Sequence, residues 1–280
     1  MKSFNHVSSA IRIASSPLVE FSVSCTDGVK IHREALSDRF PELSELFQTD
    51  QTDKDFETVA ESFGFDTKSN QFSWGPQRLD TFALFIQFVY TGEYTDMEPG
   101  SIAFEAGHPC DTIDGQLVSM REKTRTYLLK KYGQIFPHFY DQASHQIVSS
   151  SPDNTAWDSY ACLFGRHLAV FRFAKNRNLV TLCSFAVYKV QQLLLRLICY
   201  YEIVNQVVQF LSNFLGLIIN EDDDCDMVAT VAHFAACYAD RFWANLQFRQ
   251  LIGSNKHLCY VFIDAVVNGA PKIVKEEPCE

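Results

Sequence analysis

The chain has no C-x-x-C pair, no unbroken apolar run long enough to span a bilayer, and fewer basic than acidic residues. Each shortage disfavours a class of protein. The nine cysteines lie far apart and are odd in number, which argues against a secreted disulfide framework and for reduced, buried thiols in an intracellular protein. The greasiest long window, Leu193 to Ile219, is interrupted by Arg196, Glu202, Asn205, Gln206 and Gln209. It suits core helices rather than a membrane span. Lys and Arg number 24 against 34 Asp and Glu, a net charge of −10, so nucleic acid is a poor default partner. G-x-x-x-x-G-K, G-x-G-x-x-G, G-x-S-x-G and H-E-x-x-H are all missing. The familiar phosphate, dinucleotide, esterase and zinc-protease sites therefore have no support. The opening MKSFNHVSSAIRIASSPLVEF lacks the continuous apolar centre of a signal peptide. Its Arg and Ser residues and scarcity of acid leave an organelle-targeting segment as the minor alternative.

What is present is a packing sequence. Of its 280 residues 47% are hydrophobic and 14% aromatic, with 24 Phe, enough for one large or two small domains. Residues 1–17 read as a flexible arm. From Leu18 to Ile31 apolar and polar residues alternate around Asp27-Gly28, the pattern of a hairpin. Leu36, Phe40, Leu43 and Phe47 then fall at helical spacing, and Pro41 predicts a break near Arg39-Phe40 with a second helix opening at the proline. Gln48–Lys68 reads as a polar loop with a helical turn at Phe56–Glu61, and Gln71–Trp74 as a short strand. In LDTFALFIQFVYTGEYT, Leu79–Thr95, the residues Leu79, Phe82, Phe85, Ile86, Val89 and Tyr90 form a helical stripe that Ala83, Leu84 and Phe88 widen. A helix this apolar is covered on most sides, and Gly92 is its natural stop. Asp96–Asn154 has little periodicity before Leu117 and reads as a partly ordered insertion with a basic helix at Arg121–Ile135. From Trp157 onward helical stripes follow one another, with a turn at Arg177-Asn178 and a last short helix at Tyr260–Val267. Residues 268–280 form a charged tail.

Few groups invite chemistry. His138, Asp141 and His145 would share one face of a helix and could hold a metal; chance spacing is the simpler reading. His108-Pro109-Cys110-Asp111 lacks the spatial arrangement of a Cys–His nucleophile. Glu221–Asp226 lacks the spaced ligands and central glycine of a calcium loop and suits the N-terminal end of a helix. The basic helix could meet a membrane surface or an acidic partner, but a solvated face is the simpler reading.

Four stretches in order resemble a BTB/POZ domain of the kind common in fungal proteins, with a C-terminal helical, BACK-like extension. FSVSCTDGVKIHREALSDRFPELSELF (Phe21–Phe47) resembles the family's strand, turn, strand and helix, with His32 and Leu36 in place. LDTFALFIQFVYTGEYT resembles its helix ending in Y-T-G, here Tyr90, Thr91 and Gly92. HLAVFRFAKNRNLVTLCSFAVYKV (His167–Val190) resembles the helix pair that follows, through Ala174, Lys175 and Leu179. Met227–Ile252 resembles the extension.

The resemblance implies an α/β (α+β) fold: a small sheet capped by helices at 18–200, a long insertion at 96–156, and an all-helical extension at 201–267. It implies a non-enzymatic adaptor or scaffold, cytoplasmic or nuclear, that binds proteins, among them itself and a cullin of a ubiquitin ligase. No cofactor, nucleic acid, membrane or small-molecule substrate is expected. The family's cullin contact uses an apolar-x-Glu triplet in the loop before the strand that precedes the Y-T-G helix; Val59-Ala60-Glu61 occupies that place. The alternatives are an oligomeric scaffold linked to transcription or chromatin, and a metal-dependent enzyme using the insertion. The 96–156 segment is longer than the family's usual link, and no second partner module accompanies the domain.

Overall fold

A computed structural model describes residues 10–22, 28–48, 60–66, 69, 71–74, 79–95, 100–101, 115–137, 158–197, 199–217 and 225–271. In chain order the elements are β1 (Leu18–Ser22), β2 (Val29–His32), α1 (Arg33–Arg39), α2 (Pro41–Gln48), β3 (Phe65–Asp66), β4 (Gln71–Ser73), α3 (Leu79–Thr91), β5 (Gly100–Ser101), α4 (Gly115–Ile135), β6 (Asp158–Ser159), α5 (Ala161–Lys175), α6 (Val180–Arg196), α7 (Tyr201–Leu215), α8 (Cys225–Cys237), α9 (Ala239–Ala244), α10 (Leu246–Ser254) and α11 (Lys256–Asn268). The fold is mixed α and β, predominantly helical. The chain divides into two compact units, 1–96 with 169–185, and 97–168 with 186–280. The divisions fall inside α5 and α6. Residues 115–135 fall with the C-terminal helices.

The first unit is built on a four-stranded sheet of order β2-β1-β4-β3. β1 and β2 form the expected antiparallel hairpin, with Val19 opposite Ile31; the residues of its turn, 23–27, lie outside those described. Period two sets the faces: Val19 and Phe21 are buried while Leu18 and Ser22 are exposed. β4 joins β1 in parallel and places Phe72 beside Phe21, where the rings stack 4.7 Å apart within 8° of parallel. Trp74 meets Phe21 edge-on at 4.7 Å. Each such ring removes its apolar area from water for about 2–3 kcal/mol, and each aromatic pair adds about 0.5–1.5 kcal/mol.

Against this layer lies α3, the helix of the opening apolar stretch. Phe82, Leu84, Phe85, Phe88 and Val89 are all buried. The elements that cover it are the ones its width demands. Phe21 of the hairpin reaches Phe85 at 5.9 Å, Phe40 of the α1–α2 connector at 5.7 Å, and Phe173 of α5 at 5.5 Å. Phe185 of α6 packs on Phe88 at 4.9 Å. Tyr90 departs from the expected stripe and is exposed. The break at Phe40 and the restart at Pro41 fall where the proline requires. Residues 10–15, expected within a flexible arm, are helical; Arg12 lies 2.6 Å from Asp38 and 3.6 Å from Glu34.

The second unit is helical apart from the β5–β6 pair, which joins Gly100 to Ser159. Thr124, Leu128 and Tyr132 form the buried stripe of α4, and the Tyr132 hydroxyl donates to the Thr230 carbonyl of α8 at 3.0 Å. The buried Gln191 of α6 donates to the Thr230 hydroxyl at 3.0 Å, so Thr230 links all three helices. Leu258, Phe262 and Ala265 are the buried face of α11, which packs on α8. The helical spacing of Met227, Val231, Phe234, Ala235, Tyr238 and Phe242 predicts one stripe, and it is broken at Tyr238, which takes φ −124°, ψ 40° between α8 and α9. Two asparagines then open the last helices. Asn245 accepts from the Phe248 amide at 3.0 Å and Asn255 from the Leu258 amide at 2.7 Å, the N-cap geometry that short polar side chains favour. The last helix therefore begins at Lys256, earlier than Tyr260. Among the described residues no helix is long and apolar enough to cross a membrane.

Candidate functional site

His32, Leu36, Tyr90, Gly92, Ala174, Lys175 and Leu179 all fall in the first unit. The Tyr90 hydroxyl lies 3.0 Å from His32 Nδ1 and accepts from the His32 amide at 3.2 Å. The histidine after the hairpin and the tyrosine of Y-T-G, 58 residues apart, thus close on each other. Leu36 is fully buried. Gly92 takes φ +78°, and its amide donates to the Phe88 carbonyl at 2.8 Å. A side chain there would also meet the Arg39 guanidinium at 2.8 Å. Arg39 in turn donates to the Val89 carbonyl at 3.3 Å, placing a cation at the negative end of α3. The turn continues to Tyr94, which is buried and meets Phe185 edge-on at 5.4 Å.

Ala174, Lys175 and Leu179 form a second such device. The Leu179 amide donates to the Ala174 carbonyl at 3.0 Å and the Asn178 amide to the Lys175 carbonyl at 3.1 Å. Asn178 stands at φ +52°, the left-handed position of a Schellman cap. Ala174 and Leu179 are fully buried because they are the apolar pair that accompanies such a cap. Next to it, Arg177 donates to the Trp74 carbonyl at 2.6 Å and the Phe173 carbonyl at 3.2 Å. Its guanidinium sits 4.5 Å from the Phe173 ring centroid and 5.2 Å from that of Trp74. Burial lowers its pKa to about 10. The sequence marks Arg177 only as part of a turn; no local signal says that it reaches Trp74, 103 residues away.

Glu61 lies at the surface, on the short helical turn at 60–62. Its carbonyl accepts from the Gly64 amide at 2.8 Å, and the Gly64 carbonyl accepts from the Ser73 amide of β4 at 2.8 Å. Trp74 donates its indole N–H to the Phe63 carbonyl at 2.9 Å. These bonds fix the turn against the sheet while its acidic side chain faces solvent. Val59 lies outside the described residues, as do His138, Asp141, His145, the His108–Asp111 segment and Glu221–Asp224.

The second unit holds a group of titratable side chains that sequence reading missed. The Tyr127 hydroxyl of α4 and His233 Nδ1 of α8 are 3.1 Å apart. Cys237, one turn on, directs its thiol to the His233 carbonyl at 3.3 Å. Burial lowers the His233 pKa to about 4, with Lys131 adding to the effect and Asp264 opposing it. Burial, with Cys237 and Asp264 nearby, raises Tyr127 to about 12. Burial also raises Cys237 to about 12, against a hydrogen bond from Thr124. All three are held neutral near pH 7. A thiol at that pKa is not a nucleophile there, and the Tyr127–His233 contact joins α4 to α8. Among the described residues no three His, Cys, Asp or Glu side chains are grouped to hold a metal.

No family model, no curated protein and no solved structure matches this chain.

Proposed function

We propose that the protein is a non-enzymatic adaptor or scaffold whose first unit is a BTB/POZ-like interaction domain. In its narrower form this is a substrate adaptor for a cullin-type ubiquitin ligase. One observation carries the reading: the first two resembling stretches meet through His32 and Tyr90, residues that carry the resemblance. His32 meets Tyr90, Arg39 fills the space that Gly92 leaves, and Ala174 and Leu179 close the cap of α5, all within one unit. That pattern supports a shared fold more than chance motifs would, since a chance match has no reason to form contacts.

The same unit offers Glu61, exposed on a turn pinned to β4 and ahead of α3 in the chain. An exposed carboxylate on a fixed mount suits a docking contact, because little side-chain and loop ordering remains to be lost on binding. Partner selection then falls to surface loops, with the aromatic core holding them in position. Affinity purification with mass spectrometry from the native cell, run side by side for the wild type and Glu61→Arg, tests the reading. Cullin and its ligase subunits should co-purify with the wild type and be depleted from the variant. Recovery of no protein partner by either form would sink the adaptor reading; partners without a cullin would sink the narrower form alone.

A further inference from the structure

The helical residues ahead of β1 are tied to the first unit by charge. Of residues 10–15 all but Ile13 are exposed. Nη2 of Arg12 lies 2.6 and 2.7 Å from the two Asp38 oxygens, and Nη1 lies 3.6 Å from Glu34 Oε2. Exposed ion pairs of this kind hold weakly, and a helix without a buried apolar face gains little from packing. These residues therefore open more readily than the sheet beside them. The opening has a fixed limit. The Arg33 amide donates to the Pro17 carbonyl at 2.9 Å, and the half-buried Ser16 hydroxyl accepts from the Glu34 amide at 3.3 Å. Ser15 stands just before that limit, at the end of the helix. It is exposed, and its hydroxyl donates to the Ile11 and Arg12 carbonyls at 3.0 and 3.1 Å. Arg12 and Ser15 form an Arg-x-x-Ser sequence. Elsewhere in the chain an arginine precedes a serine or threonine by three residues only at Thr81 and Thr124, and both of those are buried. Kinases choose their acceptors by such charge patterns, so Ser15 is the accessible acceptor of this type.

We propose that Ser15 is a phosphorylation site for an arginine-directed serine kinase, and that its phosphate releases residues 10–15 from α1. In the transfer Ser15 Oγ bonds to the γ-phosphorus of ATP as the bond from that phosphorus to the β,γ-bridging oxygen breaks. ADP leaves, and the hydroxyl proton passes to the carboxylate base of the kinase. The product carries roughly two negative charges at the end of a helix that its unpaired carbonyls already make negative. Positions three apart on a helix share a face, so the phosphate competes with Asp38 and Glu34 for the Arg12 guanidinium. It also repels both carboxylates, and a phosphate at a helix C-terminus beside acidic residues disrupts that terminus. Arg12 is the tether that is lost. Glu34 and Asp38, both on α1, are then left as an uncompensated acidic pair on the surface. The inference goes beyond the adaptor reading and stands independently of any cullin contact.

The test treats the full chain with ATP and a calmodulin-dependent serine kinase, and reads it by phosphopeptide mapping and hydrogen exchange. Ser15 should take the label. Arg12→Ala should slow its labelling by about tenfold or more, because the kinase loses the cation that it reads. Asp38→Asn should not slow it, since that variant keeps Arg12 and loosens the helix. In the labelled chain the protection of amides 13–16 should fall by about fivefold, while the Arg33 amide, bonded to the Pro17 carbonyl, keeps its protection. A Ser15 that stays unlabelled overturns the proposal. So does an Arg12→Ala variant labelled as fast as the wild type, which would mean that exposure alone decides. Phosphate on Ser15 with amides 13–16 as protected as before overturns the release.

Discussion

Gly92→Ala is the substitution whose cost the geometry of the Y-T-G turn specifies most closely. Two penalties act. At φ +78° an alanine side chain is forced toward its own backbone, at about 1–2 kcal/mol. The new carbon also arrives 2.8 Å from Arg39 Cζ, so the guanidinium must leave. Its departure breaks the 3.3 Å bond to the Val89 carbonyl and removes a cation from the end of α3, together about 1 kcal/mol at a part-exposed site. The expected loss is therefore about 2–3 kcal/mol. In an Arg39→Ala background the second penalty has already been incurred, so the same substitution should cost only about 1–2 kcal/mol, leaving a coupling of about 1 kcal/mol. Because the chain forms two units, the assay must report on the first. Urea unfolding followed by the fluorescence of buried Trp74, in a chain that carries Trp157→Phe and Trp243→Phe, does so. A Gly92→Ala loss below about 0.5 kcal/mol would refute the backbone argument. An equal loss in both backgrounds would refute the Arg39 contact.

Three further outcomes follow from other contacts. Asn178→Val should destabilise the first unit by about 1–2 kcal/mol, because a β-branched residue resists the left-handed φ of +52°; Asn178→Gly should not, and thermal melts of the pair will separate them. His233, whose folded pKa of about 4 lies below its ordinary 6.5, should make the second unit pH-sensitive. The unfolded chain takes up the proton first, so this contribution is complete above about pH 6.5 and is lost as pH falls toward 4. His233→Asn should flatten the stability difference between pH 7 and pH 5; an unchanged slope would contradict the assignment. Iodoacetamide near neutral pH should modify exposed Cys162 while Cys237, buried with its thiol pushed up to about 12, reacts only on unfolding. Peptide mapping of the alkylated protein decides this.

Local rules made the first unit readable. Alternation marks β1 and β2, Pro41 marks the restart at α2, and the width of the α3 stripe says that several elements must cover it. Gly92 and the Arg177-Asn178 turn announce their positions because positive φ and helix ends leave compositional traces. What escaped has other causes. The break at Tyr238 carries neither glycine nor proline, so nothing in the chain punctuates it. Asn245 and Asn255 are N-cap signals, but apolar spacing alone does not single them out from the other polar residues of this segment. The Tyr127–His233 contact spans 106 residues, and no periodicity encodes a pairing at that range. The grouping of α4 with the C-terminal helices is likewise a property of tertiary packing. The anchoring of the turn that bears Glu61 depends on Gly64, Ser73 and Trp74, partners that the loop sequence alone does not name.

The central claim is that the first unit docks a protein partner at the turn bearing Glu61. Isothermal titration of the purified chain with a purified cullin tests it most directly, with Glu61→Arg measured beside it and circular dichroism confirming that both are folded. The account predicts saturable binding by the wild type and at least tenfold weaker binding by the variant. A folded wild type that gives no binding heat and captures no cullin in a parallel pull-down, or a variant that binds as tightly, would contradict it.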